Sequence, residues 1–415
     1  MTVAHAGAPI KVGTDAAGAV FAALRRPAAM LAVPLILALA LAACAPKGKP
    51  GSAAKPPDRV SREAGRVTIA LLLPLSGRYA DVGKSMENAA HMAVMESGSG
   101  TLTVLSFDTA GTAKGASAAA RKAVAAGARL IVGPLFRDAV AAAKRRVAGA
   151  RINLLAFSNS ESVAGGNVFL LSFLLRQQVD RIVRHAADNG FSEIGVLVPA
   201  SATGERIVMY AEAAALRHGA EVLRTAFYPG EIAPMRERIE AFAEEPPYRA
   251  VLIHAGGDRL RTVAGLLALN DVLAPDYQYL GMSNWNDRSL QSEHVLRGGW
   301  FTAPEPDISA RFAGRYEEAF KAKPDRFASM AYDAVALAAT LAERGREQGQ
   351  PGGKSGRNPF TRRALTDPNG FLGADGIFRF GENGLIERGL AVLEVRRKGF
   401  RVVDPARTSF AIGTN

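Results

Sequence analysis

Short apolar runs alternate with stretches of helical spacing along most of this chain, and this alternation restricts the fold more than any other feature. The run from Val67 to Leu73 precedes helical spacing from Asp81 to Glu96, and the run from Leu102 to Phe107 precedes helical spacing from Ala113 to Ala126. Strands and helices in strict turn form βαβ units, in which each helix returns the chain to a parallel strand. The sequence therefore predicts an α/β fold.

The same alternation continues through a second half of the chain. It restarts after Gln177, with strand runs at Glu193 to Val198, Ala250 to His254 and Tyr277 to Gly281. The roughly 350 residues after Gly65 exceed a single compact core, which usually holds about 100 to 200. We therefore expect two lobes, each built on a doubly wound parallel sheet.

Residues 1–43 have the composition of a signal peptide. Arg25 and Arg26 precede a short apolar run from Met30 to Leu41, and small residues follow it. A helix needs about 20 apolar residues to cross a bilayer, so this run is too short to be a membrane span.

The leader ends at the only cysteine of the chain. Leu41-Ala42-Ala43-Cys44 resembles the bacterial lipobox, which implies that Cys44 carries a lipid and begins the mature protein. Ala45, in place of an aspartate, favours the outer membrane over the inner one. A plain secretory leader with a chance cysteine is the alternative. With one cysteine, no disulfide can form within the chain.

Residues 45–65 contain almost no large apolar side chain and are rich in lysine, glycine and proline. Such a segment cannot pack, so residues 44–65 are predicted to be the lipidated cysteine and a flexible tether. A flexible coil of this length spans about 25 Å on average.

The formal net charge is +12, and the leader supplies only +2 of it. The remaining excess fits anionic lipids or cell-wall polymers, or a solvated surface with no partner. Nucleic acid is not an expected partner outside the cytoplasm.

The sequence contains no complete motif for catalysis or for binding a metal or cofactor. The stretch from Gly77 to Ser85 looks like a phosphate-binding loop but has five residues between its first glycine and Gly-Lys-Ser, where four are needed. The six histidines have no partner at metal spacing, and no Gly-x-Ser-x-Gly turn occurs. We expect no catalytic residue, no metal and no cofactor.

Several stretches together resemble the type 1 periplasmic binding proteins, the superfamily of the leucine-binding proteins. Val67 to Ala80 resembles their first strand and ligand-facing turn, and Ile131 to Leu135 and Leu154 to Ser160 resemble the ends of their third and fourth strands. Gly370 to Phe380 and Gly384 to Val403 resemble their Gly-Phe-x-Gly signature and final hairpin. The resemblance implies two lobes joined by a three-segment hinge.

The same resemblance implies where the chain crosses between the lobes. The crossings are expected near residues 171–176, 300–304 and 367–371. The N-terminal lobe would then hold residues 66–170 and 305–366, and the C-terminal lobe residues 177–300 and 371–410. Ligands of such open sheets bind outside the carboxyl ends of the strands, in the cleft between the lobes.

Within this superfamily, Leu71-Leu-Leu-Pro-Leu-Ser-Gly-Arg-Tyr-Ala80 on a lipoprotein looks most like the penicillin-binding protein activators. This resemblance implies a non-catalytic regulator of a peptidoglycan synthase at the outer membrane. The helical-repeat domain of the best-understood activators is replaced here by the short tether. The alternative function is a receptor that delivers an amino acid or related anion to an ABC importer. A third possibility is a cleft that binds nothing and serves as a docking surface.

Polar residues follow the first and fourth predicted strands. In leucine-type binders, hydroxyl and backbone N–H groups at these places hold the carboxylate of the ligand. The candidates carried over from the resemblance are Ser76, Gly77, Ser158, Asn159 and Ser160. Serines at strand ends are also ordinary turn and cap residues.

Four further residues complete the predicted site. Asp258 follows the strand that ends at His254 and is a candidate partner for an α-amino group across the cleft. Tyr79, Phe136 and Trp285 are candidates for an apolar wall. His254 itself is expected to pack at a strand end.

Overall fold

The computed structural model describes residues 66–98, 100–349 and 356–410. The predicted signal peptide, Cys44 and the tether lie outside the described residues. None of the helices within the described ranges is both long and apolar enough to cross a membrane.

The first lobe is built on five parallel strands in the order β2-β1-β3-β4-β5. The side chains of four of these strands are buried almost throughout, and Ile69 to Leu73 are fully buried in the interior strand β1, whereas the edge strand β2 is mostly half-buried. A sheet covered by helices on both faces needs such continuous apolar strands. The strands are β1 (Val67–Leu73), β2 (Leu102–Asp108), β3 (Leu130–Val132), β4 (Asn153–Ala156) and β5 (Val168–Leu170).

Two helix layers cover this sheet. Helix α2 (Ala113–Ala125) packs against α3 (Arg137–Val147), whereas α1 (Ala80–Ser97) packs against two helices from later in the chain, α8 (Pro306–Phe320) and α9 (Ala328–Glu347). The side chain of Thr112 caps α2 by accepting a hydrogen bond from the N–H of Gly115. A short helix, α10 (Arg362–Leu365), follows α9.

The second lobe is built on seven strands in the order β15-β14-β10-β9-β8-β6-β7. Strands β6 to β10 are parallel, and β14 and β15 complete the sheet as antiparallel strands. The strands are β6 (Glu193–Pro199), β7 (Glu221–Tyr228), β8 (Ala250–Ile253), β9 (Gln278–Gly281), β10 (Trp300–Ala303), β14 (Ala391–Arg396) and β15 (Gly399–Asp404). The helices between them are α4 (Leu175–Asp188), α5 (Ala202–His218), α6 (Ile232–Ala243) and α7 (Gly257–Leu269). The predicted α/β fold with two parallel-sheet lobes is confirmed.

A third, antiparallel sheet lies where the sequence predicted part of the C-terminal lobe. Its strands are β11 (Phe371–Gly373), β12 (Gly376–Phe380) and β13 (Ile386–Arg388). Phe378 and Phe380 point to the same face of β12 and are buried in the core of the first lobe, where Phe380 meets Phe169 edge to face at 5.6 Å. The aromatic face of this segment completes the first core, whereas the sequence analysis assigned residues 371–410 to the C-terminal lobe.

Because of this packing, the third connection between the lobes lies later in the chain than the sequence predicted. The chain passes between the lobes from β5 to α4, from β10 to α8, and from β13 to β14. The last connection falls at residues 389–390, not near residues 367–371, because the intervening strands still belong to the first lobe.

Candidate functional site

A cavity of about 950 Å³ lies between the two lobes, beside the connections that join them. It collects loops that follow the carboxyl ends of strands in both sheets, which is where ligands of doubly wound folds bind. Its size is within the range of small-molecule sites.

The first-lobe side of this cavity is mainly apolar. Its lining residues include Phe136, Phe157, Phe312, Phe327 and Met330. Phe136 and Phe157 follow β3 and β4, whereas the other three come from α8 and from the start of α9. These two helices come late in the chain and bring the aromatic side chains of Phe312 and Phe327 to the cleft.

The second-lobe side is more polar. It is lined after β8 by His254 and Gly256 and after β9 by Ser283 and Asn284. The buried Gln178 of α4 also lines the cavity, and its Oε1 accepts a hydrogen bond from the N–H of Ser283 at 2.8 Å. This bond holds the loop after β9 against the helix that follows the first connection.

His254 presents a buried polar atom without a partner. Its Nδ1 makes no hydrogen bond to any described residue, although its main-chain oxygen accepts one from the hydroxyl of Tyr228 at 2.7 Å. Burial lowers the pKa of His254 to about 4, so the ring is neutral at neutral pH. A neutral imidazole can give or take one hydrogen bond at this nitrogen.

Asn284 presents a second such atom on the same wall. Its Nδ2 donates to the main-chain oxygen of Ala255 at 2.6 Å, which fixes the orientation of the amide. Its Oδ1 is buried and has no partner among the described residues. A buried polar atom left unpaired costs about 1 to 3 kcal/mol, so a donor group on a bound molecule would recover that cost.

Among the described residues, four charged side chains line the cavity, and three of them are acidic. Asp375 is buried and accepts a hydrogen bond from the hydroxyl of Ser309 at 2.8 Å. Asp287, Asp325 and Arg326 complete the set. Carboxylates in excess favour a bound group that carries positive charge.

Of the predicted ligand contacts, Asn159 and Phe136 are among the described residues that line the cavity. Tyr79 packs against Phe136 with ring centroids 4.6 Å apart and the rings tilted by 48°, and it lies outside that lining. Gly77 begins a short 3₁₀ turn with φ +76°, a conformation that glycine adopts without strain. Tyr79 therefore contacts the lining residue Phe136 without lining the cavity itself.

Ser76 is engaged by the protein itself. Its hydroxyl donates to Oδ2 of Asp108 at 2.5 Å, and the N–H groups of Leu75, Ser76 and Ala110 donate to Oδ1. Burial opposes the charged form, but these four hydrogen bonds hold the pKa of Asp108 below its ordinary value. An internal carboxylate therefore takes the place that the sequence assigned to a ligand carboxylate.

The serines after β4 are likewise bound within their own turn. The N–H of Ser160 donates to Oγ of Ser158 at 3.2 Å, and Oγ of Ser160 lies 3.0 Å from Oγ of Ser162. Both Ser158 and Ser160 are buried, and neither is among the described residues that line the cavity. Of this predicted trio, the geometry leaves only Asn159 open to the cleft.

Asp258 and Trp285 do not take their predicted places. The side chain of Asp258 is 99% exposed in the first turn of α7 and pairs with Arg261 at 2.5 Å. Trp285 is fully buried in the second-lobe core, where its indole lies against Gly281 and near Phe301. The prediction that Trp285 forms a cavity wall was wrong, because the missing side chain of Gly281 opens a slot for the indole inside the core.

The sequence interpretation missed Asn284 and underrated His254. His254 follows the buried strand β8 directly and Asn284 lies three residues after the end of β9, and this position was the signal available. Their importance depends on which of their atoms lack partners, and that depends on the surrounding fold. Among the described residues, no group of three His, Cys, Asp or Glu is arranged to hold a metal ion.

Several solved structures resemble this one over most of its length. A protein from Rhodospirillum rubrum described as a putative branched-chain amino acid ABC transporter has a TM-score of 0.71 at 18% identity, covering 81% of this chain and 100% of that one. A leucine-binding protein from Thermotoga maritima has a TM-score of 0.58 at 18% identity, covering 82% and 99%. A solute-binding protein of an ABC transporter from Rhodopseudomonas palustris, in complex with 3,4-dihydroxybenzoic acid, has a TM-score of 0.60 at 16% identity, covering 83% and 99%.

These likenesses show a shared two-lobed fold. No curated protein matches the chain in sequence. A sequence model of the periplasmic binding proteins matches residues 66–400, which is most of the chain and nearly all of its two lobes. The chain therefore belongs to the periplasmic binding protein family.

Proposed function

We propose that this protein is a solute receptor that binds a small amino-acid-like molecule between its lobes and delivers it to an ABC importer. The observation that carries the proposal is the pair of unpartnered buried atoms, Nδ1 of His254 and Oδ1 of Asn284, on one wall of the cavity. Both residues line the cavity, and a small movement of either side chain would bring its unpartnered atom to a polar group bound in the cleft.

The lining of the cavity supports a ligand with an amino group and an apolar body. The unpaired Oδ1 of Asn284 can only accept a hydrogen bond, and three of the four charged lining residues are carboxylates. The aromatic first-lobe side suits an aliphatic or aromatic side chain. One structural relative is described as a putative branched-chain amino acid ABC transporter and another as a leucine-binding protein, and both descriptions favour the same class.

The first test is a thermal-shift screen of the purified full-length chain against amino acids, benzoates and cell-wall peptides. A ligand that binds only the folded protein raises its melting temperature. A rise with amino acids or their analogues supports the proposal. If no compound raises the melting temperature of the folded, monodisperse protein, the receptor proposal is rejected. The cleft would then serve only to dock another protein.

Variants of the cavity wall then test the assigned atoms. Asn284→Ala should lower the affinity for the ligand by about 2-fold to 10-fold in isothermal titration, because one hydrogen bond is lost. His254→Phe keeps a ring of similar shape and removes the nitrogen. Asp258→Asn is the matched control, because its side chain is exposed and outside the cavity lining. Equal responses from all three variants would refute this site.

We further propose that the protein is not an enzyme and that Cys44 attaches it by a lipid to the periplasmic side of the envelope. A receptor that serves an importer needs the inner membrane, whereas Ala45 favours the outer membrane, which suits the second candidate function below. The support is the run Leu41-Ala42-Ala43-Cys44 with Ala45 after it. Cys44→Ser should abolish incorporation of a labelled fatty acid and release the protein from the membrane fraction. Labelling that persists in this variant would contradict the assignment.

A regulator of peptidoglycan synthesis is the second candidate function. It is favoured by the sequence from Leu71 to Ala80 together with the lipobox-like run before Cys44. Crosslinking in intact membranes followed by purification of this chain should then recover a cell-wall synthase. Recovery of an importer permease in its place would favour the receptor.

A further inference from the structure

The layer formed by α2 and α3 carries an excess of positive charge. Between Thr109 and Ser160 the chain has nine lysines and arginines and one acidic residue, Asp138. That carboxylate lies 3.0 Å from Nε of its neighbour Arg137. The charge of the layer is therefore not cancelled by acidic residues of its own.

Most of this charge lies at one end of the layer. Helix α2 runs from the end of β2 to the start of β3, and α3 runs from the end of β3 to the start of β4, so both helices end at the amino edge of the sheet. Five exposed cations at this end form what we call the basic edge: Arg121, Lys122, Arg145, Arg146 and Arg151.

These five cations have no acidic partner among the described residues. Arg146 donates from Nε to the hydroxyl of Ser117 at 2.9 Å, which leaves its charge in place. At the end of α1, Glu96 is paired with Arg315 of α8. Cations at helix ends also complement the helix dipole, but that effect is confined to the last turn and leaves their net charge uncancelled.

The chain enters the fold at the same edge. Val67 begins β1, and the register pairs Ile69 with Leu130 and Leu130 with Asn153, so the amino ends of β1, β3 and β4 are neighbours. The N–H of Arg129 donates to the main-chain oxygen of Thr68 at 2.8 Å, which holds these ends together. The described part of the chain therefore begins beside the basic edge.

Two further cations extend this surface. Arg66 precedes β1 and is exposed. Arg357 is exposed in a loop whose next residue, Asn358, donates to the main-chain oxygen of Arg129 at 3.1 Å. Only 21 residues, 45–65, separate Arg66 at this edge from the proposed lipid attachment at Cys44.

We propose that the basic edge docks on anionic phospholipid headgroups, so that the first lobe rests against the membrane with the amino ends of its strands. Clustered lysines and arginines attract anionic lipid surfaces strongly at short range. The cleft, at the carboxyl ends of the same strands, then faces away from the bilayer. This orientation goes beyond solute binding and does not depend on which ligand the cavity holds.

Sedimentation with lipid vesicles tests the proposal on the full-length chain carrying Cys44→Ser, which cannot be acylated. It should bind vesicles that contain phosphatidylglycerol more tightly than vesicles of phosphatidylcholine, and the difference should shrink as salt is added. Adding Arg121→Glu, Lys122→Glu, Arg145→Glu and Arg146→Glu should weaken binding to the anionic vesicles by at least about tenfold. Binding to the phosphatidylcholine vesicles measures how much the apolar leader contributes to membrane binding.

The matched control reverses four exposed cations of the second lobe, with the same change of net charge: Arg236→Glu, Arg238→Glu, Arg397→Glu and Lys398→Glu. It should retain binding. Equal losses in both variants, or equal binding to both vesicle types, would overturn the proposal, as would binding to purified cell-wall sacculi in place of vesicles. Circular dichroism checks folding, and glutamine at the four basic-edge positions replaces glutamate if the first variant does not fold. Because Cys44 is already replaced, failure here leaves the proposed lipid attachment and solute binding untouched.

Discussion

The guanidinium of Arg388 lies 3.2 Å from the carboxylate of Asp333, and both side chains are buried. Asp333 belongs to α9 and Arg388 ends β13, so the pair joins a first-lobe helix to the last strand before the chain passes to the second lobe. The N–H of Ala374 also donates to Asp333, at 2.6 Å. Burial raises the pKa of Asp333 to about 7, against the opposing effect of Arg388.

Removing one member of this pair should destabilise the protein. Arg388→Met removes the counter-ion of the buried Asp333, which must then take up a proton or stay charged without a partner, and should lower the free energy of unfolding by about 3 to 5 kcal/mol in urea titrations. Combining it with Asp333→Leu should recover part of that loss. Lys84→Met, in an exposed pair with Glu87, should cost less than about 1 kcal/mol. A loss as large for Lys84→Met would show that burial is not the cause.

Stability should depend on pH through His254. Its pKa is lowered from 6.5 to about 4 by burial, so at pH values between these two the unfolded chain holds a proton that the folded chain excludes. Above about pH 6.5, His254 does not make the free energy of unfolding depend on pH. As the pH falls from about 6.5 to about 4, His254 lowers the free energy of unfolding by up to about 3 kcal/mol. His254→Phe should flatten this part of the stability curve.

The control for this pH dependence is His91→Gln, since His91 is exposed on α1. Burial also lowers the pKa of His185, and that contribution is present in the parent and in both variants. The difference between parent and variant therefore isolates His254. Parallel curves for the parent and His254→Phe would contradict the neutral, buried state of this ring.

Gly281 should not tolerate a side chain. A Cβ at this position would lie 2.3 Å from Cδ2 of the buried Trp285, and the indole is enclosed by the core. We expect Gly281→Ala to cost about 1 to 3 kcal/mol in the free energy of unfolding. Gly265→Ala on α7, where a Cβ meets nothing within 4 Å, should be neutral or stabilising by up to about 1 kcal/mol. Equal effects would refute the packing of Trp285.

Phe378→Ala should weaken the first lobe and not the second. Phe378 is buried with the first-lobe core, so its truncation should cost about 3 to 5 kcal/mol. Hydrogen exchange should speed up in β4 and β5 while β8 and β9 keep their protection. Leu372→Ala, on the neighbouring strand but 78% exposed, should change stability by less than about 0.5 kcal/mol. Faster hydrogen exchange in β8 of the Phe378→Ala protein would indicate that the sheet of β11 to β13 packs with the second lobe.

The sequence by itself determined the fold class and the two parallel sheets. This was possible because a strand buried on both faces must be apolar along its length, as Ile69 to Leu73 are, and because a helix must return the chain between parallel strands. It also predicted that strand ends would supply the cleft, and Asn159 and Phe136 lie there.

Only the tertiary structure decided which strand-end groups remain free. Ser76 is bound to Asp108, Asp258 is bound to Arg261, and Trp285 fills the slot left by Gly281, whereas polar atoms of His254 and Asn284 have no described partner. The sequence also could not show that Phe378 joins the first-lobe core. Local patterns report which side chains must be buried, but hydrogen-bond partners and core assignment depend on contacts between residues far apart in the chain.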